Sequence, residues 1–172
     1  MEKGKKKVAV ILSVFMLFTL IFGMSNVAYA EKIEGKESVE IDLKKNQLEE
    51  LTEPDKIKKL VIYNYQNSDL TALPEMKNLE ELSVMSYYDD ATLSSLKGIE
   101  RFSNLRKLGV DNQKLTDLQG VESLQNLEYI SFMSNMVKDL TPLVNLPKLK
   151  FMNYGLNPIE KGLDELSNIK RS

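Results

Sequence analysis

Apolar residues return along this chain at a fixed interval. Leu105-x-x-Leu108-x-Val110-x-x-Gln113-x-Leu115 reappears as Leu127-x-x-Ile130-x-Phe132-x-x-Asn135-x-Val137 and again as Leu149-x-x-Met152-x-Tyr154-x-x-Asn157-x-Ile159, each copy 22 residues after the last. Upstream, Ile57-x-x-Leu60-x-Ile62 lies 22 residues before Leu79-x-x-Leu82-x-Val84, which lies 26 before Leu105, so one unit carries four extra residues. Leu93, Leu96, Ile99 and Phe102 align with Leu115, Leu118, Val121 and Leu124, which locates the insertion at 85–92, directly after a strand. Ile41-x-Leu43-x-x-Asn46-x-Leu48-x-x-Leu51 reads as a shortened first unit, giving about six rungs over 39–169. Such a period marks a solenoid, whose units are too small to bury an apolar face alone and must stack on their neighbours.

The spacing within a unit predicts its parts. In Lys107-Leu108-Gly109-Val110-Asp111 the apolar residues alternate, so Leu108 and Val110 point inward from a short strand. The stretch Leu115-x-x-Leu118-x-x-Val121-x-x-Leu124-x-x-Leu127 then places an apolar residue at every third position, which suits 3₁₀ or extended turns returning along the opposite side. Asn46, Asn135 and Asn157 fall at the corner after the strand, where an amide can satisfy backbone groups left unpaired by the bend. Gln113 stands there in one unit and Tyr65 and Tyr87 in two others, so the asparagine ladder is expected to be interrupted.

The first thirty residues are different. Lys3, Lys5, Lys6 and Lys7 precede an apolar run from Val8 to Phe22, and Ala28-Tyr29-Ala30 stands before Glu31-Lys32. This is the layout of a secretory signal peptide, 1–30, and the run is shorter than the roughly 18 to 20 apolar residues of a membrane-spanning helix. Residues 31–172 make one domain, expected outside the cell with no integral membrane segment once the signal is removed. They carry 19 Lys plus Arg against 24 Asp plus Glu, an acidic balance that points away from nucleic acid. With no cysteine in the chain, stability must come from packing rather than disulfides.

Asp139-Leu140-Thr141-Pro142-Leu143-x-Asn145-Leu146-x-x-Leu149, echoed by Leu115-Thr116-Asp117-Leu118, resembles the 22-residue leucine-rich repeats of bacterial internalins. The resemblance covers roughly 39–169. It implies an α/β-type solenoid with a curved parallel β-sheet on the concave face and 3₁₀ or extended turns on the convex face, and a sheet that binds host or bacterial surface proteins.

Catalysis has few residues to use. Histidine and cysteine are absent, and no Ser-Lys or Gly-x-Ser-x-Gly arrangement occurs. Asp89-Asp90 and Asp164-Glu165 read as solvated charges, and Asp89-Asp90 lacks the spacing of a calcium loop. No enzyme, cofactor or metal is therefore expected. The outward strand positions are more informative. Tyr129, Met133 and Phe151 recur in register, Tyr63 and Met85 extend the patch, Asp111 and Asn153 add polar contacts, and Tyr87 and Tyr88 of the insertion sit at its rim. Exposed aromatics and methionines on a rigid sheet are characteristic interface anchors. The expected function is a secreted module, monomeric and non-enzymatic, that binds another protein. The chain stops about three residues before a further strand would begin, and 160–172 is expected to fold back as a crude cap. The alternative is a self-assembling envelope component joined through solenoid ends, with the Leu149–Tyr154 strand as a bare edge able to form a dimer.

Overall fold

A computed structural model describes residues 37–44, 48–87, 90–166 and 170–171. Residues 1–30, Asn46, Tyr88 and Asp89, each given a role above, and Ile169, which closes the repeat region 39–169, lie outside the described residues. The fold is a leucine-rich-repeat solenoid. Its parallel strands follow chain order across a single sheet: β1 (Ser38–Asp42), β2 (Lys59–Tyr63), β3 (Glu81–Met85), β4 (Lys107–Asp111), β5 (Tyr129–Ser131), β6 (Phe151–Asn153) and β7 (Lys170–Arg171). Among the described residues the helical segments are all 3₁₀ turns of three residues, as at Ile99–Arg101, Val121–Ser123 and Thr141–Leu143.

Register follows the repeat. Leu60, Leu82, Leu108, Ile130 and Met152 align across the sheet, as do Ile62, Val84 and Val110, and all are buried. The every-third series forms the rest of the core, with Leu93, Leu96, Ile99 and Phe102 stacked on Leu115, Leu118, Val121 and Leu124 in one continuous cluster. Strands β2 to β6 begin with the same backbone device, in which one carbonyl accepts two consecutive N–H groups from the next rung. Glu80 O takes Arg106 and Lys107, Arg106 O takes Glu128 and Tyr129, and Glu128 O takes Lys150 and Phe151. The ladder therefore fixes rung spacing before any side chain acts.

Two expectations are corrected at the ends. In the first rung Val39 and Ile41, not Ile41 and Leu43, are the inward pair, because Val39 aligns with Leu60 and Ile41 with Ile62. The outward residues are therefore Ser38, Glu40 and Asp42. The alternation Val39-x-Ile41-x-Leu43 fits either register by itself. The one chosen leaves a 21-residue step to β2, while Leu43 sits half-buried past the strand and donates its N–H to Tyr63 O.

At the other end the chain does reach a further strand, and β6 is not a bare edge. Lys170 pairs with Phe151 and Arg171 with Met152, only 19 residues on. The last unit folds back tightly at Gly162, whose φ of +84° and open α-carbon let it approach the Leu140–Thr141 peptide. A β-carbon there would lie 2.8 Å from Leu140 C and Thr141 N. Dimerisation through the Leu149–Tyr154 strand thus loses its structural basis over Phe151 and Met152.

Candidate binding surface

Three rows of outward side chains cross the sheet. The first runs Ser38, Lys59, Glu81, Lys107, Tyr129, Phe151; the second Glu40, Val61, Ser83, Gly109, Ser131, Asn153; the third begins Asp42, Tyr63, Met85, Asp111. Met133 and Gly155 continue the third row at the same spacing just past β5 and β6. Nearest-neighbour strands lie about 4.8 Å apart, so six rungs span roughly 24 Å and the three rows roughly 14 Å.

The first row changes character along its length. Glu81 sits between Lys107, at 2.6 Å, and Lys59, at 3.8 Å, so one carboxylate is shared by two lysines and the row keeps a positive surplus there. Beyond Lys107 the row becomes aromatic, with Tyr129 and Phe151 stacked at 4.8 Å between ring centres and 2° between planes. In-register pairing of β5 with β6 alone is enough to bring these rings together. Met133 lies on the same half of the sheet.

A second aromatic pair occupies the opposite corner. Tyr63 stacks on Tyr87 at 5.1 Å and 14°. Burial, with a hydrogen bond that Tyr63 donates to Tyr87 as a smaller cause, pushes the Tyr63 phenol well above its ordinary range, so it is neutral and able to donate. Tyr87 stands outward and 67% exposed, at the rim where the insertion was expected to place it, and Ser86 is buried at the corner instead. The reason is backbone conformation. Asn64, Asn112, Ser134 and Leu156 all adopt left-handed φ near +55°, which swings the next residue inward, whereas Ser86 at the matching position does not. The four extra residues allow the chain to turn another way. The insertion is tied to the first rung by a 2.7 Å ion pair between Lys44 and Asp90.

The corner ladder is complete in the later rungs. Asn135 Nδ2 donates to Val110 O and Phe132 O, and its Oδ1 accepts from Leu115 N–H; Asn157 repeats this with Phe132 O, Tyr154 O and Val137 N–H. Gln113 serves less well, as expected, since it bonds Ser86 Oγ while its buried Oε1 has no partner. Tyr65 interrupts the ladder, its hydroxyl donating to Asp69 O, with burial pushing its pKa up to about 12.

The polar residues of the expected patch serve the fold as well. Asp111 Oδ1 accepts from Ser131 Oγ and from Met133 N–H, both at 2.7 Å, so Asp111 shapes the path of the chain under Met133. Asn153 accepts from Gly155 N–H.

Two features escaped the sequence reading. Leu156 is 79% exposed in a left-handed conformation, where other rungs carry Asn or Ser. Beside the first row runs a ladder of alternating charge, Glu37, Lys58, Glu80, Arg106, Glu128, Lys150, legible in the sequence as sign changes at the repeat spacing. Glu128 is its best-held member, 2.6 Å from Lys150 Nζ and 2.7 Å from Arg106 Nη2. Those two bonds, Lys150 first, pull its carboxyl from 4.5 down to about 2. A depressed carboxylate contributes stability above its unfolded pKa and loses it as pH falls toward the folded value. Glu128→Gln should therefore lower the unfolding midpoint at about pH 6, with the difference shrinking below about pH 4.5 and the two proteins converging only near pH 2, as the window of roughly 4.5 to 2 is crossed.

No protein-family model matches the sequence, and no curated protein is similar enough to count as a relative. Among solved structures, an internalin (inlF) from Listeria monocytogenes is similar at a TM-score of 0.51 and 20% identity, covering 70% of this chain and 40% of the internalin. An internalin C2 (inlC2) from the same organism gives a TM-score of 0.49 at 20% identity, covering 73% and 74%. The chain spans well under half of the first internalin's length. The fold is that of an internalin-like leucine-rich-repeat protein. Among the described residues no helix is long and apolar enough to cross a membrane.

Proposed function

We propose that this protein is a secreted, non-enzymatic module that binds another protein, on a host or bacterial surface, through its concave sheet. The observation that carries the reading is the outward Tyr129–Phe151 stack, with Met133 at the far end of the same rungs, on a sheet where Glu81 is held by Lys59 and Lys107. Ordered aromatic side chains lose little rotamer freedom on binding and bury large area. The leader-like residues 1–30 support export. N-terminal sequencing of protein from culture supernatant should read Glu31-Lys32-Ile33; a mature chain still beginning at Met1 in the membrane fraction would refute removal of the leader.

The three rows cover only about 350 Å² in projection, below the roughly 800 Å² per partner of a standard interface. The insertion around Tyr87 or the rims must therefore join the contact, or affinity is weak. A partner captured from culture-surface or host-cell extracts should lose about 2 kcal/mol or more of binding on Tyr129→Ala and on Phe151→Ala, and nothing on the convex change Glu122→Ala. Full affinity in a folded double variant would move the site off this face.

A further inference from the structure

We propose that the concave face carries a diagonal trough shaped for one amphipathic α-helix of a partner protein, an inference that rests on the sheet being the binding face. The two aromatic stacks stand at opposite corners. Tyr63 and Tyr87 lie in or just past the third row on the second and third rungs, and Tyr129 and Phe151 in the first row on the fifth and sixth. The line between them crosses β3 between Ser83 and Met85 and β4 at Gly109, and Ser83 and Gly109 face each other across the two strands. That floor is low because Gly109 has no side chain, and a β-carbon there would sit 2.9 Å from Ser83 Oγ.

The banks differ in sign. Lys59 and Lys107 around Glu81 leave one bank with a positive surplus, and Asp111 makes the other negative.

The dimensions select the occupant. Three rungs at about 4.8 Å and four residues at about 3.3 Å place the stacks roughly 20 Å apart. A helix rising about 1.5 Å per residue covers that distance between positions i and i+14, which lie on nearly one face, and its diameter of about 10 to 12 Å suits the roughly 14 Å width. An extended segment matches less well. It would lie over strands whose N–H and C=O groups are already paired in the ladder, so its own backbone groups would be buried without partners. A helix satisfies its own. The occupant should carry apolar residues fourteen apart, a small residue between them over Gly109, an acidic residue toward Lys107 and a basic one toward Asp111.

The test pans phage-displayed 20-residue peptides on a helix-forming frame, alongside a matched unstructured library, on the purified protein, and measures synthetic versions of the enriched sequences. The expected binders come from the helical library with that apolar spacing. Their affinity should fall at least tenfold with Tyr87→Ser, with Tyr129→Ala and with Ser83→Tyr, which fills the floor, while circular dichroism and Tm of the variants stay unchanged. Tyr87 is exposed, so its variant keeps the test valid should Ser83→Tyr perturb the sheet. Binders sensitive to Tyr129→Ala but indifferent to Tyr87→Ser and Ser83→Tyr would overturn the trough while leaving the sheet a binding face. Enrichment confined to the unstructured library, or no enrichment, would also overturn it.

Discussion

Leu108→Ala should destabilise the protein by about 2 to 5 kcal/mol, measured as the shift in free energy of unfolding in denaturant. Leu108 is 1% exposed and lies in register between Leu82 and Ile130, so the missing methyls leave a cavity that a stacked rung on either side must bridge. A solenoid has no alternative core to shift in, since each rung touches only its neighbours. The adjacent Lys107→Ala should cost under about 1 kcal/mol, because its 2.6 Å pair with Glu81 is solvent-exposed. Equal midpoints for the two variants would mean that the strand register is wrong.

Asn135→Ala should cost about 3 kcal/mol, although it removes no apolar contact of note. The buried amide is the hydrogen-bond acceptor for Leu115 N–H and the donor to Val110 O and Phe132 O. Deleting it removes the side-chain partner of Leu115 N–H and Val110 O, while Phe132 O keeps its bond from Asn157, and each buried group left unpaired costs about 1 to 3 kcal/mol. Asn135→Asp separates the two halves of the role, since the acceptor survives and the donors do not. Asn145→Ala, at an exposed convex position, should stay within roughly half a kcal/mol of the parent. A near-silent Asn135→Ala would show that the corner groups are satisfied by water instead.

The binding surface was partly legible in the chain. Tyr129 and Phe151 could be placed side by side because period-2 alternation and the 22-residue step together fix which residue faces which across a parallel pair. Tyr87 could be placed at the rim of the face, but its stacking on Tyr63 and the burial of Ser86 at the corner could not, because they follow from the backbone conformation at Ser86. Leu156 was hidden for a related reason. Its exposure follows from the left-handed φ at its position, and no apolar pattern announces that a leucine will stand there.

What the sequence determines by itself is everything that repeats: the rung spacing, the inward leucines, the corner asparagines and the place of the insertion. These are local rules applied many times, and one stacking geometry satisfies all of them together. Tertiary structure alone decided what happens where the repetition fails. At β1 two registers satisfy the alternation equally, and packing against Leu60 and Ile62 chose Val39 and Ile41. In the last unit the backbone fold at Gly162, close against Leu140 and Thr141, accompanies a step of 19 residues, short enough to pair β7 with β6. At the insertion the stack of Tyr87 on Tyr63 joins residues of different rungs, a contact that depends on how the loop closes. An end or an insertion has a neighbour on one side only or a loop of its own, so its conformation is settled by the contacts it makes and not by the period it departs from.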